Sequence, residues 1–278
     1  MLNYFLISIV LYKEKLSDSP SFITLNEGIP KNSKISLLVY DNSPEPQKID
    51  PITEKWNIIY IHNSNNEGIS KAYNESANIA ERLNKKWLLF ADQDTHFPIS
   101  FLHTLISAIK KNTTIQIFSP ILRSGKIVIS PCWVYWEKAF PMRCPLTGVQ
   151  KLKNRSIINS GLCISLQAFK IAGGYKNDIR LDFSDHYFFR SLKKHYKYLY
   201  IIEGDVEHSL SIFTDSLTSN AHRFKYYCDG ARKYSNFATF IPVFIVCTYR
   251  MLKQSILNKS LCFISSYFRY YITSHTII

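Results

Sequence analysis

The sequence lacks paired cysteines, long apolar runs and, toward its C-terminus, acid. Its six cysteines (Cys132, Cys144, Cys163, Cys228, Cys247, Cys262) lie far apart with no C-x-x-C pair. That spacing excludes a zinc ribbon and a disulfide framework and leaves reduced packing residues. No uninterrupted apolar run reaches the roughly 18 residues a membrane-spanning helix needs. Phe237 to Tyr249 is only 13 residues long and contains Pro242. The opening Met1-Leu2-Asn3-Tyr4 has no basic n-region, so the expected location is the cytoplasm. Neither a fixed repeat, a low-complexity segment nor a flexible linker breaks the 278 residues. The chain is long enough to bury a substantial core as one α/β domain, with or without a C-terminal extension.

What is present is apolar and basic. An apolar share of 46% with 18 Phe and 18 Tyr excludes disorder. A formal charge of +13 favours polyanionic partners: nucleic acid, an anionic membrane face or phosphorylated substrates. From Asn220 onward eight Lys or Arg (Arg223, Lys225, Arg232, Lys233, Arg250, Lys253, Lys259, Arg269) face one acid, Asp229. They are interleaved with aromatic and aliphatic residues, which suits an interfacial helix better than a nucleic-acid arm. Boundaries are expected at 1–220 for an α/β domain and 221–278 for a helical, possible membrane-associating extension.

The chain is organised around Trp87-Leu88-Leu89-Phe90-Ala91-Asp92-Gln93-Asp94. A buried strand that ends abruptly in two carboxylates delivers acids into the crevice where open α/β sheets bind ligands. Two carboxylates one residue apart on extended chain point the same way and can share a hard divalent cation that grips phosphate oxygens. A polar turn after a core strand is the competing account. Three further apolar runs precede it: Tyr4 to Tyr12, Ile35 to Tyr40 and Trp56 to Ile61. Strands about 25 residues apart with helical segments between them predict βαβ units and a parallel sheet. Right-handed crossovers then bring Tyr12, Asp41, the Asn66 loop and Asp92/Asp94 to one edge.

Further along, Pro98 to Lys110 reads as an amphipathic helix, and Ile115 to Leu122 and Lys126 to Ser130 as strands. Residues 131–154 read as a long irregular aromatic loop. Ile157 to Ile164 reads as a short strand interrupted by Gly161, which suggests close backbone approach by a ligand. Ser184 or Asp185 is placed to cap a helix, putting Asp185 at a positive helix end where an ionised carboxylate can take a proton. Asp185 as a simple cap is the alternative. His208, after the strand from Tyr198, is either a metal ligand or a structural imidazole.

The order of these features resembles glycosyltransferase family 2, the inverting GT-A enzymes, and within it rhamnosyltransferase-like and capsule-type members. The similarity rests on Val39-Tyr40-Asp41-Asn42-Ser43, Asn66-x-Gly68-x-x-x-Ala72-x-Asn74, Phe90-Ala91-Asp92-Gln93-Asp94-Thr95, Asn159-Ser160-Gly161 with Gly173-Gly174-Tyr175, Asp182-Phe183-Ser184-Asp185, and His208. The resemblance implies a Rossmann-like, mostly parallel sheet flanked by helices. It also implies that Asp41 reads the nucleobase, with Tyr12 and the Asn66 loop beside it, and that Asp92 contacts the ribose. Asp94, with His208, would bind Mg²⁺ or Mn²⁺ on the diphosphate of a nucleoside-diphosphate sugar such as dTDP-rhamnose or a UDP-hexose. Asp185 would be the general base. Lys71 is a phosphate candidate, with an exposed helical lysine as the alternative account. Many relatives carry Glu-Asp where Ser184-Asp185 stands here, which leaves Asp182 a rival base. Arg223-Phe-Lys-Tyr226-Tyr227 matches a family feature implied to bind the phosphate of a lipid-linked glycan acceptor. A non-catalytic sugar-nucleotide or glycan-binding module is the reading from another class.

Overall fold

The computed structural model describes residues 1–31, 33–49, 55–208, 217–275 and 277. In chain order the first part comprises β1 (Phe5–Leu11), α1 (Pro20–Gly28), β2 (Ile35–Asp41), β3 (Trp56–His62), α2 (Ile69–Arg82), β4 (Trp87–Asp92), β5 (Thr95–His96) and α3 (Phe101–Lys111). Then follow β6 (Ile117–Ser124), β7 (Ile127–Ser130), β8 (Cys132–Tyr135), β9 (Lys138–Pro141), β10 (Gly148–Lys151), β11 (Arg155–Ser156), β12 (Cys163–Ser165) and α4 (Leu166–Ile171). The chain continues through α5 (Ser184–Leu192), β13 (Tyr198–His208), α6 (Leu217–Tyr234), α7 (Phe240–Leu257) and α8 (Cys262–Ser266) to a π-helical turn at Tyr267–Ile272.

Every residue of β1 and β2 is buried, so these strands carry apolar side chains on both faces, as central parallel strands must. Alternation sorts them. Leu6, Val10, Leu38, Leu88 and Phe90 enter one core with Ala72, Tyr73 and Ala77 of α2, Phe169 of α4 and Phe188 of α5. Ile7, Ile9, Leu37, Val39, Leu89 and Ala91 enter the opposite core with Phe22 and Leu25 of α1 and Leu102 and Leu105 of α3. The product is a three-layer α/β sandwich. Phe90 is fully buried, with its ring 4.2 Å from that of Tyr73 and 6.0 Å from that of Phe169. Truncating it to Ala would cost about 3–5 kcal/mol.

The larger sheet runs β10-β13-β6-β12-β4-β1-β2-β3. β3, β2, β1 and β4 are mutually parallel. β12 lies antiparallel between β4 and β6, and β13 is parallel to β6. The tips of β1, β2 and β4 therefore share one edge, as expected.

Three expectations are corrected. Residues 131–154 are not an irregular loop: β8 and β9 form a hairpin that, with β11, makes a separate three-stranded sheet, while β10 pairs with β13. These strands are half-exposed and only four residues long, too short for a clear alternation. The strand expected over 157–164 is confined to Cys163–Ser165, because residues 157–162 turn to let Gly161 N–H bond the Phe90 carbonyl at 2.8 Å. α5 is capped by neither Ser184 nor Asp185. Its N-cap is Phe183 at φ 70°, with no side-chain cap. A bulky residue in that region is strained by about 1–3 kcal/mol. Its ring packs 5.0 Å from that of Tyr227 and 5.3 Å from that of Tyr234, offsetting the strain.

The C-terminal helices form a third core in which Phe224, Cys228, Cys247 and Phe263 pack with Ile179 and Phe183. Gly230 of α6 permits this, since a Cβ there would stand 2.5 Å from the Asp182 carbonyl oxygen. All six cysteines are free. α7 is longer than its uninterrupted apolar run, with 18 residues and a mean hydropathy of 1.3. By length and composition alone this helix is long and apolar enough to cross a bilayer, although Arg250 and Lys253 interrupt its apolar run. Pro242 does not break it, because it lies in the first turn, where backbone N–H groups have no intrahelical partner.

Candidate active site

The strand tips open into a cavity of about 460 Å³ lined by Tyr12, Asn42, Asn66, Asp92, Gln93, Asp94 and His208 from the sheet side. Arg180 and Leu181 close one wall, and Ser219, His222, Arg223 and Tyr226 of α6 another. Gln93 pins two of these tips together: Tyr12 N–H donates to its Oε1 at 2.7 Å, and its Nε2 donates to the Tyr12 carbonyl at 3.3 Å. The Asn66 turn is held by backbone. Gly68 has φ 90°, and a Cβ there would meet the Arg180 carbonyl oxygen at 2.2 Å, so only glycine lets the two walls touch. Ile69 N–H donates to that same oxygen at 2.9 Å.

The acids are wired individually. Asp92 accepts a hydrogen bond from Tyr73 Oη at 2.8 Å, and its backbone N–H donates to Ser160 Oγ at 3.1 Å. Ser160 Oγ lies 2.6 Å from Thr95 Oγ1, which lies 2.7 Å from His208 Nδ1. His208 Nδ1 is 3.5 Å from Asp94 Oδ1. Burial raises the Asp94 pKa, His208 counteracts it, and the Asp92 carboxylate raises it again. Asp185, in the first turn of α5, accepts from Asn159 Nδ2, and Asn159 Oδ1 in turn accepts from Tyr175 Oη. Burial and then the charge of Asp92 push Asp185 up to about 8, against smaller opposing hydrogen bonds from Ser184 and Asn159. Asp92 thus acts electrostatically on both Asp94 and Asp185, although Asp185 is not among the residues that line the cavity.

Several expected site residues lie elsewhere. Asp41 is fully buried and does not line the cavity; its neighbour Asn42 does. Its carboxylate accepts from Ser43 N–H, Gln47 Nε2 and Tyr60 Oη, each at 2.9 Å, which leaves little capacity to read a base. Lys71 sits on α2 away from the lining. At Gly161 the close approach is made by the Pro120 ring, 2.5 Å from where a Cβ would stand, and not by a ligand. Asp182, the rival base, lies 3.8 Å from Arg223 Nε and 3.7 Å from Arg250 Nη1, drawn toward the C-terminal helices.

Sequence reasoning missed Gln93 as a clamp, Tyr73 beneath Asp92, and the Tyr175–Asn159–Asp185 chain. Asn159, Asn74 and Tyr175 fall inside motifs already noted, yet only the fold shows their work. Asn74 Nδ2 donates to the Tyr175 carbonyl at 2.8 Å while Asn74 Oδ1 accepts from Tyr175 N–H at 2.9 Å, tying α2 to the segment before α5.

Among the described residues no group of three or more His, Cys, Asp or Glu is arranged to hold a metal ion. Asp94 and His208 offer one hard oxygen and one imidazole nitrogen, a pair that fits Mn²⁺ and, less well, Mg²⁺ when ligand oxygens and water complete the shell.

Comparison with known proteins agrees with this geometry. No curated protein matches the chain. Residues 24–143 match the family model Glycosyl transferase family 2. Among solved structures, GalNAc-T7 with UDP, GalNAc and Mn²⁺ is similar at TM-score 0.56 and 13% identity, over 74% of this chain and 44% of that one. TarS 1–349 from S. aureus is similar at TM-score 0.51 and 11% identity, over 97% and 73%. The Pyrobaculum calidifontis mannosyltransferase PcManGT with GDP-Man and Mn²⁺ is similar at TM-score 0.52 and 11% identity, over 99% and 76%. The chain spans less than half of the GalNAc-T7 chain it matches, and at these identities the likeness is one of fold. Residues 24–143 are therefore similar to glycosyl transferase family 2, and they sit within an α/β architecture of the GT-A type.

Proposed function

We propose that the chain is an inverting glycosyltransferase that moves a sugar from a nucleoside diphosphate to a hydroxyl of a growing, lipid-linked bacterial surface polysaccharide. The observation that carries this reading is Asp185: a carboxylate at a helix N-terminus, held by Asn159 and pushed up to about 8 beside the Asp92/Asp94 tip. A group in that range is basic enough to take a proton from a sugar hydroxyl near neutral pH. As the hydroxyl oxygen attacks the anomeric carbon, its proton passes to Asp185. The bond from that carbon to the diphosphate breaks, and the diphosphate leaves with the electron pair. Attack opposite the leaving group inverts configuration without a covalent intermediate.

The nucleoside would lie between Tyr12, Asn42 and Asn66, with its ribose on Asp92 and its phosphates toward Arg223. Asp94 and His208 would hold the divalent cation. When bound, that cation neutralises charge developing on the departing diphosphate. The relatives crystallised with UDP-GlcNAc, GDP-Man and Mn²⁺ support a sugar-nucleotide donor and divalent-metal use; a dTDP-rhamnose or UDP-hexose donor remains part of the proposal.

The extension supplies the second half of the reading. Ile241, Ile245, Tyr249, Leu252 and Ile256 of α7 recur at helical spacing and are each at least half exposed. Arg250 and Lys253 share the helix. An exposed apolar face on a basic segment suits the interface of an anionic membrane and supports, as part of this proposal, a peripheral position on the inner face of the cytoplasmic membrane.

The test is metal-dependent turnover of a panel of sugar nucleotides, with Asp94→Ala and Asp185→Ala as controls. Equal turnover in wild type and both variants sinks the mechanism.

A further inference from the structure

A larger cavity of about 650 Å³ lies away from the strand tips, between α5, the β8–β9 hairpin, the β10 strand and Tyr234 of α6. Its chemistry is unlike that of the acidic edge. Lys151, Lys153, Arg190, Lys193 and Lys197 line it, with Glu137 as the one lining carboxylate. Glu137 already accepts a hydrogen bond from Tyr234 Oη. Among the described residues none of the four lysines has a carboxylate within ion-pair distance. Arg190 is stacked 4.0 Å over the Tyr234 ring, and its buried Nη1 has no hydrogen-bond partner. Unneutralised cations gathered in a concavity favour an anionic ligand.

The same walls carry aromatic planes open to solvent. Trp136 is 71% exposed, Tyr135 50% and Tyr198 48%. Flat apolar faces with polar edges suit the apolar face of a sugar ring.

The cavity also adjoins the reacting end. α5 carries Asp185 in its first turn, and His186 and Lys193 of that segment line the cavity. Eight residues of helix separate Asp185 from Lys193, a span of about 12 Å at 1.5 Å per residue, within reach of a short oligosaccharide. On its outer side the hairpin meets α7, where Lys138 Nζ stands 4.3 Å over the Tyr249 ring.

We propose that this cavity is the acceptor subsite, and that it takes an anionic glycan: a phosphate-bearing saccharide whose negative group sits among the lysines, whose sugars stack on the Trp136 wall, and whose free hydroxyl reaches Asp185. The inference rests on the sugar-transfer reading and adds the substrate class. The phosphate has two sources, a phosphate ester on the glycan itself or the diphosphate of a lipid carrier.

The experiment uses the full chain and three probes: a fluorescent tetrasaccharide with one phosphate monoester, its neutral parent, and a polyprenyl-diphosphate sugar in phosphatidylcholine vesicles. The phosphorylated tetrasaccharide is expected to bind at least about tenfold more tightly than the neutral one, the scale of one charge-assisted hydrogen bond. Lys153→Gln/Lys197→Gln, which alters two exposed side chains, removes that preference; Trp136→Ala weakens both tetrasaccharides. Lys193→Gln is a further variant, read only after its fold is verified by circular dichroism. Uncoupled hydrolysis of the donor by water stays unchanged in all of them. Preference for the vesicle probe over the soluble one assigns the phosphate to the lipid carrier, and the reverse assigns it to the glycan. Equal binding of neutral and phosphorylated probes, no binding of any probe, or wild-type binding by the double variant overturns the proposal. Donor turnover that is absent while the phosphate preference persists removes the sugar-transfer reading and leaves the anion site standing.

Discussion

A carboxylate at a strand tip and one at a helix start have opposite electrostatics. Asp41 at the tip of β2 is fully buried, and burial alone would raise its pKa. Three hydrogen-bond donors outweigh that effect and hold it below the usual carboxylate value. At Asp185, at the start of α5, burial and then the charge of Asp92 outweigh its fewer donors and push it up to about 8. Donors saturate an anion that is to remain an anion, while scarce donors and a like charge leave one ready to take a proton. Asp41 is architecture, fixing Gln47 and Tyr60 under the β1 and β2 tips; Asp185 is the carboxylate to which the proposed reaction gives the acceptor proton.

The sharpest way to break this contrast is to neutralise each in turn. Asp185→Asn keeps the shape and removes the base, so transfer should fall by about 10²–10⁴ while far-ultraviolet circular dichroism stays unchanged. A loss under tenfold would assign proton transfer to another group. The same change should stabilise the free protein at alkaline pH. The folded Asp185 pKa lies above its unfolded value, so the charged form costs the fold stability as pH rises through about 8. Melting curves of the two proteins should coincide near pH 4 and separate by a few degrees at pH 9, with the variant higher.

Asp41→Asn should do the reverse. It weakens charge-assisted bonds from Gln47 and Tyr60 and turns one acceptor into a donor, at a cost of about 1–3 kcal/mol. The folded Asp41 pKa is depressed, so this stabilisation is full above the ordinary carboxylate pKa and is lost as pH falls through the folded value. The gap between wild type and variant in denaturant midpoint should therefore shrink in acid. A catalytic loss with unchanged stability would return Asp41 to the ligand.

The unequal legibility of the two residues has a physical cause. β1, β2 and β4 are covered on both faces, so each is a continuous apolar run whose end is visible in one dimension; the tips at Tyr12, Asp41 and Asp92 could be read there. Which tip residues reach the cavity could not. Asp41 is occupied by Gln47 and Tyr60, 6 and 19 residues away, and no local pattern records such pairing. The β8–β9 hairpin, with exposed positions on both faces, lacks the alternation that burial of one face imposes. The length of α7 is hidden because Arg250 ends its apolar run without ending its helix, and Pro242 falls where a helix tolerates it.

The pH profile places the contrast on a scale. If Asp185 must be unprotonated to act, log kcat/KM should rise with unit slope below its pKa and level off above about 8. A profile flat from pH 6 to 9 would mean that the acceptor proton goes elsewhere. Bound diphosphate and cation change the field at Asp92, so kcat and kcat/KM should report different values, the former describing the loaded enzyme.

The smallest expected effect tests how Asp185 is held. Tyr175 stacks on Phe188 at 4.2 Å between ring centroids, and its hydroxyl donates to the Asn159 oxygen, orienting the amide so that Nδ2 faces Asp185. Tyr175→Phe keeps the stack and deletes only that hydroxyl. The amide is then free to rotate, and Asp185 loses part of the donor that favours its charged form. Its pKa should rise further, moving the acid limb of the pH profile upward, and kcat at pH 7 should fall about fivefold, as loss of roughly 1 kcal/mol of hydrogen bonding implies. A structural role alone would lower the melting temperature without moving the limb. An unmoved limb would therefore place Tyr175 among the packing residues and leave Asn159 to hold the base unaided.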